Sequence, residues 1–92
     1  TICLDDVLYV TKDSVDRKSV IKTIHTEFKT YKTLSELNEL FGDKFIRTHK
    51  SCIVNSDRVA CINKIKRIIK FNNGETIDLL SSKYKKELRG IV

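Results

Sequence analysis

Five consecutive polar residues, Arg47, Thr48, His49, Lys50 and Ser51, carry the densest chemistry in the sequence. They offer a guanidinium, an ammonium, an imidazole and two hydroxyls, a set of donors suited to an anionic partner. Phe45-Ile46 precede them, and Ile53-Val54 and Asn55 follow. A strand that fills a core alternates apolar and polar residues or stays apolar throughout. Phe45 to Asn55 therefore reads as a strand gripped by the core at both ends. Its polar centre either crosses the solvent face of a sheet or presents donors to an anion. Cys52 and His49, three apart in such a strand, face opposite sides and form no local nucleophile–base pair.

Other reactive chemistry is thin. The 3 glycines are scattered and build no phosphate loop, and Asp5-Asp6 has no acid–base partner in view. His49 and Cys52 lack a second pair to complete a zinc site. Cys3, Cys52 and Cys61 are odd in number and have apolar or strand-like neighbours, so they read as buried free thiols of a reducing cytoplasm. No catalytic residue, metal or cofactor is expected.

Charge is distributed unevenly. The chain carries 18 basic and 12 acidic side chains, net +6. Residues 1–43 hold six basic and eight acidic groups, whereas residues 44–70 hold eight basic groups against Asp57 alone. A one-sign patch of this kind points to a polyanion such as nucleic acid or an anionic membrane surface; the alternative is a solvated, lysine-rich face.

With 92 residues, 40% of them hydrophobic and 33% charged, residues 1–92 read as a single globular domain. With no initiator Met and a strand-like start, a fragment of a longer protein is expected. No apolar run approaches the ~18 residues of a membrane span and no signal peptide is present, so a soluble, cytoplasmic protein is expected.

The elements that must position the polar stretch are mostly β. Ile2 to Lys12 reads as strand with a break at Asp5-Asp6, followed by a turn at Asp13 to Asp16. Lys18 to Thr26 and Glu27 to Lys32 read as two more strands, although no Gly or Asn marks the turn between them. Thr33-Leu34-Ser35-Glu36 forms a capping box, Leu34, Leu37, Leu40 and Phe41 follow at helical spacing, and Gly42 stops the helix. Asn55 to Arg58 reads as a turn. Val59–Asn63 and Lys66–Asn72 form a hairpin around Asn63-Lys64, and Asn73-Gly74 predicts a type I′ turn into a strand over Thr76–Leu80. Ser81-Ser82 can cap a final helix over Lys83–Leu88 ended by Gly90.

Duplex DNA suits these residue types better than RNA. RNA platforms expose several aromatics for stacking, whereas Phe28, Phe41, Phe45 and Phe71 all read as core. Arg, Lys, Asn and Ser suit phosphates and base edges. No helix is basic and long enough to enter a groove, so loops and strand ends must do the reading. A protein-interaction domain or an RNA-binding β-domain is the rival assignment.

Phe45-x-Arg47-x-His49-x-Ser51-x-x-Val54-Asn55 resembles the core motif of the LytTR-type DNA-binding domain of response regulators. The resemblance extends to Asp6-Val7-Leu8-Tyr9-Val10, to the helix from Leu34 to Phe41 and to Ser81-Ser82-Lys83-Tyr84. It implies a fold of small antiparallel β-sheets with one or two short helices, and the output domain of a bacterial two-component regulator whose N-terminal receiver lies outside this chain. It also implies loop residues in successive major grooves and bent duplex DNA. Paired direct repeats in promoters of virulence or quorum-sensing genes would be the targets, with dimerisation on DNA and RNA polymerase as a further partner. The first strand of the family would be cut short here.

Carried over by position, the resemblance implies base contacts from Arg17, from Lys50, and from Ser82 with Lys83. Relatives can carry His at the position of Arg17 and Asn at that of Lys50; Arg and Lys favour guanine. Ser82 stands where an Arg is expected, which leaves Lys83 beside it as the cation. Lys18, His49, Ser51, Arg67 and Lys85 are the implied phosphate contacts. Each has a structural alternative: Arg47 reads equally as pairing with a carboxylate inside the fold, His49 as orienting a carbonyl, Asn55 as capping the turn, and Arg67 as a solvated strand residue.

Overall fold

The structure, a computed structural model, describes residues 3–13, 15 and 17–81. The expected final helix over Lys83–Leu88 lies outside the described residues.

Five antiparallel strands form the larger sheet: β1 (Val7–Asp13), β2 (Lys18–Thr23), β3 (Glu27–Thr30), β4 (Phe45–His49) and β5 (Cys52–Asn55), in the order β3-β2-β1-β5-β4. A helix, α1 (Leu34–Phe41), links β3 to β4. Three further strands, β6 (Val59–Asn63), β7 (Ile68–Phe71) and β8 (Thr76–Ile77), make a second antiparallel sheet. The mostly-β expectation holds.

The larger sheet is covered on both faces, which explains the unbroken apolar runs in its central strands. Val7, Val10, Ile21, Phe45 and Ile53 pack with Leu34 and Leu37 of α1. Leu8, Cys52 and Val54 face the second sheet through Ile69 and Phe71, with Leu80 beside them. A bulge between Val7 and Tyr9 lets Val7 and Val10 share the helix side, while Leu8 and Tyr9 turn the other way; Tyr9 stacks on Phe71 with ring centroids 5.3 Å apart.

Helix α1 begins and ends where its sequence dictates. Thr33 Oγ1 accepts the Glu36 N–H at 3.1 Å, and Glu36 Oε1 accepts the Thr33 N–H at 3.2 Å, completing the capping box. Gly42 ends the helix at φ 92°, a conformation open to a residue without Cβ, and its N–H donates to Asn38 O at 3.1 Å.

The structure corrects several sequence expectations. Phe45 to Asn55 is a hairpin: β4 and β5 pair with Arg47 opposite Ile53 and His49 opposite Cys52, leaving Lys50-Ser51 as the connection. The polar centre is polar because it is the end of a hairpin. β2 stops at Thr23, where the Thr23 hydroxyl donates to Thr26 O at 2.9 Å and accepts the Thr26 N–H at 3.0 Å, a turn made without Gly or Asn. β3 ends at Thr30, and β7 starts only at Ile68, after a four-residue turn that Asn63 Oδ1 closes by accepting the N–H groups of Ile65 and Lys66.

At Asn73-Gly74 only Gly74 has positive φ, so the turn is not type I′. The Gly74 N–H donates to Phe71 O and the Phe71 N–H to Glu75 O, the three-residue loop with a glycine bulge. The expected strand over Thr76–Leu80 pairs only through Thr76–Ile77. Cys3 and Cys61 are exposed and Cys52 alone is buried, all three as free thiols; Phe28 is 42% exposed, outside the core.

Candidate nucleic-acid interface

Antiparallel register collects the expected contact residues at one end of the larger sheet. β1 ends where β2 begins, Asp13 opposite Lys18; β5 begins beside the end of β1, Thr11 opposite Cys52; and β3 ends beside the start of β2, Thr30 opposite Ser19. The β1–β2 loop, the Lys50-Ser51 connection, the exit of β3 and the start of α1 therefore meet at this end.

There they enclose an open concavity of ≈ 510 Å³ lined by Lys12, Arg17, Tyr31, Ser35, Arg47 and Lys50, among others. Arg17 and Lys50, expected base readers from separate loops, thus share one surface. Arg17 sits in the β1–β2 loop at φ 55°, the left-handed region, and is exposed. The loop starts with the Val15 N–H donating to Asp13 Oδ1 at 2.9 Å. Lys18 follows, its Nζ 4.8 Å from the centre of the exposed Tyr31 ring, a cation–π contact that fixes the charge at this end.

The tip carrying Lys50 is braced from inside. Arg47 Nε donates to His49 O at 3.2 Å, Nη2 donates to Lys50 O, and Nη1 reaches Ser35 Oγ of α1 at 3.5 Å. Arg47 is therefore structural, but its partners are carbonyls and a hydroxyl; its guanidinium pairs with no carboxylate among the described residues. The Ser51 N–H donates to His49 Nδ1 at 3.1 Å, so a neutral His49 carries its proton on Nε2. Ser51 O accepts the Lys12 N–H at 3.0 Å, clipping the tip to β1.

The chain leading to the third expected reading point is anchored beside the same hairpin. Thr48 is wholly buried; its Oγ1 donates to Leu79 O at 2.8 Å, and the Ser81 N–H donates to Thr48 O at 2.7 Å. Ser82, Lys83 and Lys85 lie outside the described residues.

One expected contact falls elsewhere, and Asn55 caps its turn as its alternative reading had it. Arg67 is exposed at φ 57° in the β6–β7 turn rather than in a strand, and does not line the concavity. Asn55 is buried and structural, its Nδ2 donating to Val7 O at 2.8 Å and Leu4 O at 3.3 Å while Oδ1 accepts the Asp57 N–H at 3.1 Å. Lys12, Tyr31 and Ser35 were not expected here. Lys12 could have been found as the last cation of a strand opening onto a reading loop.

His49 and Cys52 face each other across the hairpin, yet the pair is not poised for nucleophilic work. Burial pushes the Cys52 thiol up to about 12, and His49 Nδ1 is already taken by the Ser51 N–H. Among the described residues no cluster of His, Cys, Asp or Glu could hold a metal ion, and no helix is long and apolar enough to cross a membrane.

A family model described as the LytTr DNA-binding domain matches residues 1–92. Over 71 residues the chain is 28% identical to Accessory gene regulator protein A of Staphylococcus aureus strain N315, and 27% identical to the protein of the same name from Staphylococcus epidermidis. These alignments take in 77% of this chain and 29% of each relative, so the chain spans under a third of the curated relatives it matches. The LytTr DNA-binding domain of a Bacillus cereus chain titled a methyl-accepting/DNA response regulator superposes with a TM-score of 0.84 at 24% identity, covering 98% of this chain and 84% of that one, and shares the fold.

Proposed function

The chain belongs to the LytTR family of DNA-binding domains, and on that premise we propose that it reads duplex DNA sequence-specifically as the output part of a longer two-component regulator. The observation carrying this proposal is the concavity in which Arg17 and Lys50, from separate loops, stand with Lys12 and Arg47 and, among the described residues, without a carboxylate. Guanidinium and ammonium groups read guanine O6 and N7 in a major groove. In this proposal Arg17, Lys50, Ser82 and Lys83 contact bases, while Lys18, His49, Ser51, Arg67 and Lys85 contact phosphates. His49 would act through its Nε2.

The relatives' shared name, Accessory gene regulator protein A, supports a regulatory role. We extend the proposal to paired direct repeats in promoters, dimerisation of the longer protein on them, contact with RNA polymerase, a cytoplasmic location and control of virulence or quorum-sensing genes. Gel-shift competition tests the core of it. At low salt a duplex should displace a labelled duplex far better than single-stranded RNA does. Preference for the RNA would favour an RNA-binding β-domain, and binding to neither would favour a protein-interaction domain.

A further inference from the structure

Between the Arg17 loop and the Lys50 tip lies surface that the contacts above leave unassigned, and we infer that it seats one backbone phosphate with Lys12 as its principal cation. The inference rests on the duplex binding proposed above. Lys12 pairs with Ser19 near the end of β1, and its N–H donates to Ser51 O at 3.0 Å, so its backbone is fixed to β2 on one side and to the hairpin tip on the other. Its side chain lines the concavity and has no ion-pair partner among the described residues.

The surroundings favour an anion. Among the described residues, four cations and no carboxylate line the concavity, and a concave surface of one sign concentrates potential. The Arg47 guanidinium is committed to the carbonyls of His49 and Lys50, and Arg17 and Lys50 are the proposed base readers. Lys12 is the cation that remains. Of the hydroxyls nearby, Ser19 Oγ donates to Lys32 O at 2.6 Å and Thr33 Oγ1 serves the helix cap, which leaves Tyr31, 80% exposed, and Ser35 to add hydrogen bonds. A duplex carries one negative charge per roughly 1.7 Å of its axis, so a surface between two insertion points meets backbone.

A neutral-phosphate scan tests this. Duplexes of a site enriched from a random pool by the wild-type chain, each carrying one uncharged methylphosphonate at a different backbone position, are titrated with the wild-type chain and with Lys12→Ala, each checked for an unchanged circular-dichroism melt. Lys12→Ala should bind specific and scrambled duplexes about tenfold less tightly, with base preference intact. Its slope of log K against log salt should fall by about 0.9 in magnitude. One or two adjacent positions that cost the wild type affinity when neutralised should cost Lys12→Ala nothing, and Lys12→Arg should restore the wild-type pattern.

Wild-type affinity and slope in Lys12→Ala, or an unchanged scan, would overturn the seat while leaving duplex binding standing. A wild type that binds no duplex would overturn both. Inorganic phosphate added at constant ionic strength should leave duplex affinity unchanged. Competition seen in the wild type and lost in Lys12→Ala would assign the seat to a free phosphate and overturn the backbone assignment.

Discussion

Arg47 holds Lys50 by its backbone: Nη2 donates to Lys50 O while Nε donates to His49 O at 3.2 Å. The third arm, Nη1 to Ser35 Oγ at 3.5 Å, ties the same tip to helix α1. The most conspicuous cation of the motif thus sets the aim of the one just beyond the strand, on a connection only two residues long.

Substituting Arg47→Lys separates charge from geometry. Lysine keeps the positive charge but cannot fork onto two carbonyls. Specific affinity should fall by ~1–2 kcal/mol, with base preference at the Lys50 position blurred and the salt slope unchanged, because no phosphate contact is lost. Full recovery of affinity and preference by lysine would make Arg47 a direct phosphate contact instead.

Lys50 and Lys18 should behave differently. Lys50→Ala should cost ~1–3 kcal/mol on the specific duplex and relax preference at one base pair. Lys18→Ala should weaken all duplexes alike with a shallower salt slope. Comparing both variants on specific and scrambled duplexes checks the assignment, and a uniform loss for Lys50→Ala would demote it to a phosphate contact.

Thr48→Val keeps shape and removes the hydroxyl that donates to Leu79 O. A part-buried carbonyl left without its donor costs ~1–3 kcal/mol, readable as a lower urea midpoint at unchanged slope. Stability equal to wild type would mean that the 79–81 segment is held without this hydroxyl, through contacts such as its backbone bond to Thr48 O and Leu80.

The thiols give a pH-dependent test. Only the thiolate reacts, and Cys52 holds its proton until about pH 12, whereas Cys3 and Cys61 are exposed. Iodoacetamide at pH 8 should alkylate Cys3 and Cys61 in the native protein and reach Cys52 only in denaturant, as mass mapping would show. The linkage has a definite sign: folding raises the Cys52 pKa, so this contribution to stability is complete below about pH 9 and is lost as pH climbs toward 12. Native labelling of Cys52 at pH 8 would contradict its burial.

The fold was legible wherever the backbone obeys a local rule. The Thr33–Glu36 capping box, the Gly42 stop, β6 and the mostly-β class all follow from short patterns. The hairpin at Lys50-Ser51 was hidden because its turn has neither Gly nor Asn; its closure comes from the side chains of Arg47 and His49, whose role only three-dimensional proximity reveals. The Thr23–Thr26 turn was hidden for the same reason. Arg17 and Lys50 could be named from the motif, but their shared concavity depends on β-register, which no pattern along the chain encodes. Ser35 was invisible for that reason too, whereas Lys12 carried one local signal, its place as the last cation of a strand opening onto a reading loop.

Whether the chain selects a DNA sequence is read directly by passing the wild-type chain and Lys50→Ala through a random duplex pool and sequencing what each retains. The wild type should enrich one short motif, repeated in the same orientation where two copies bind, and Lys50→Ala should enrich it with one base pair degenerate. A wild-type pool as random after selection as before, from a chain that still retains duplex at low salt, would leave backbone binding alone and contradict sequence reading by Arg17 and Lys50.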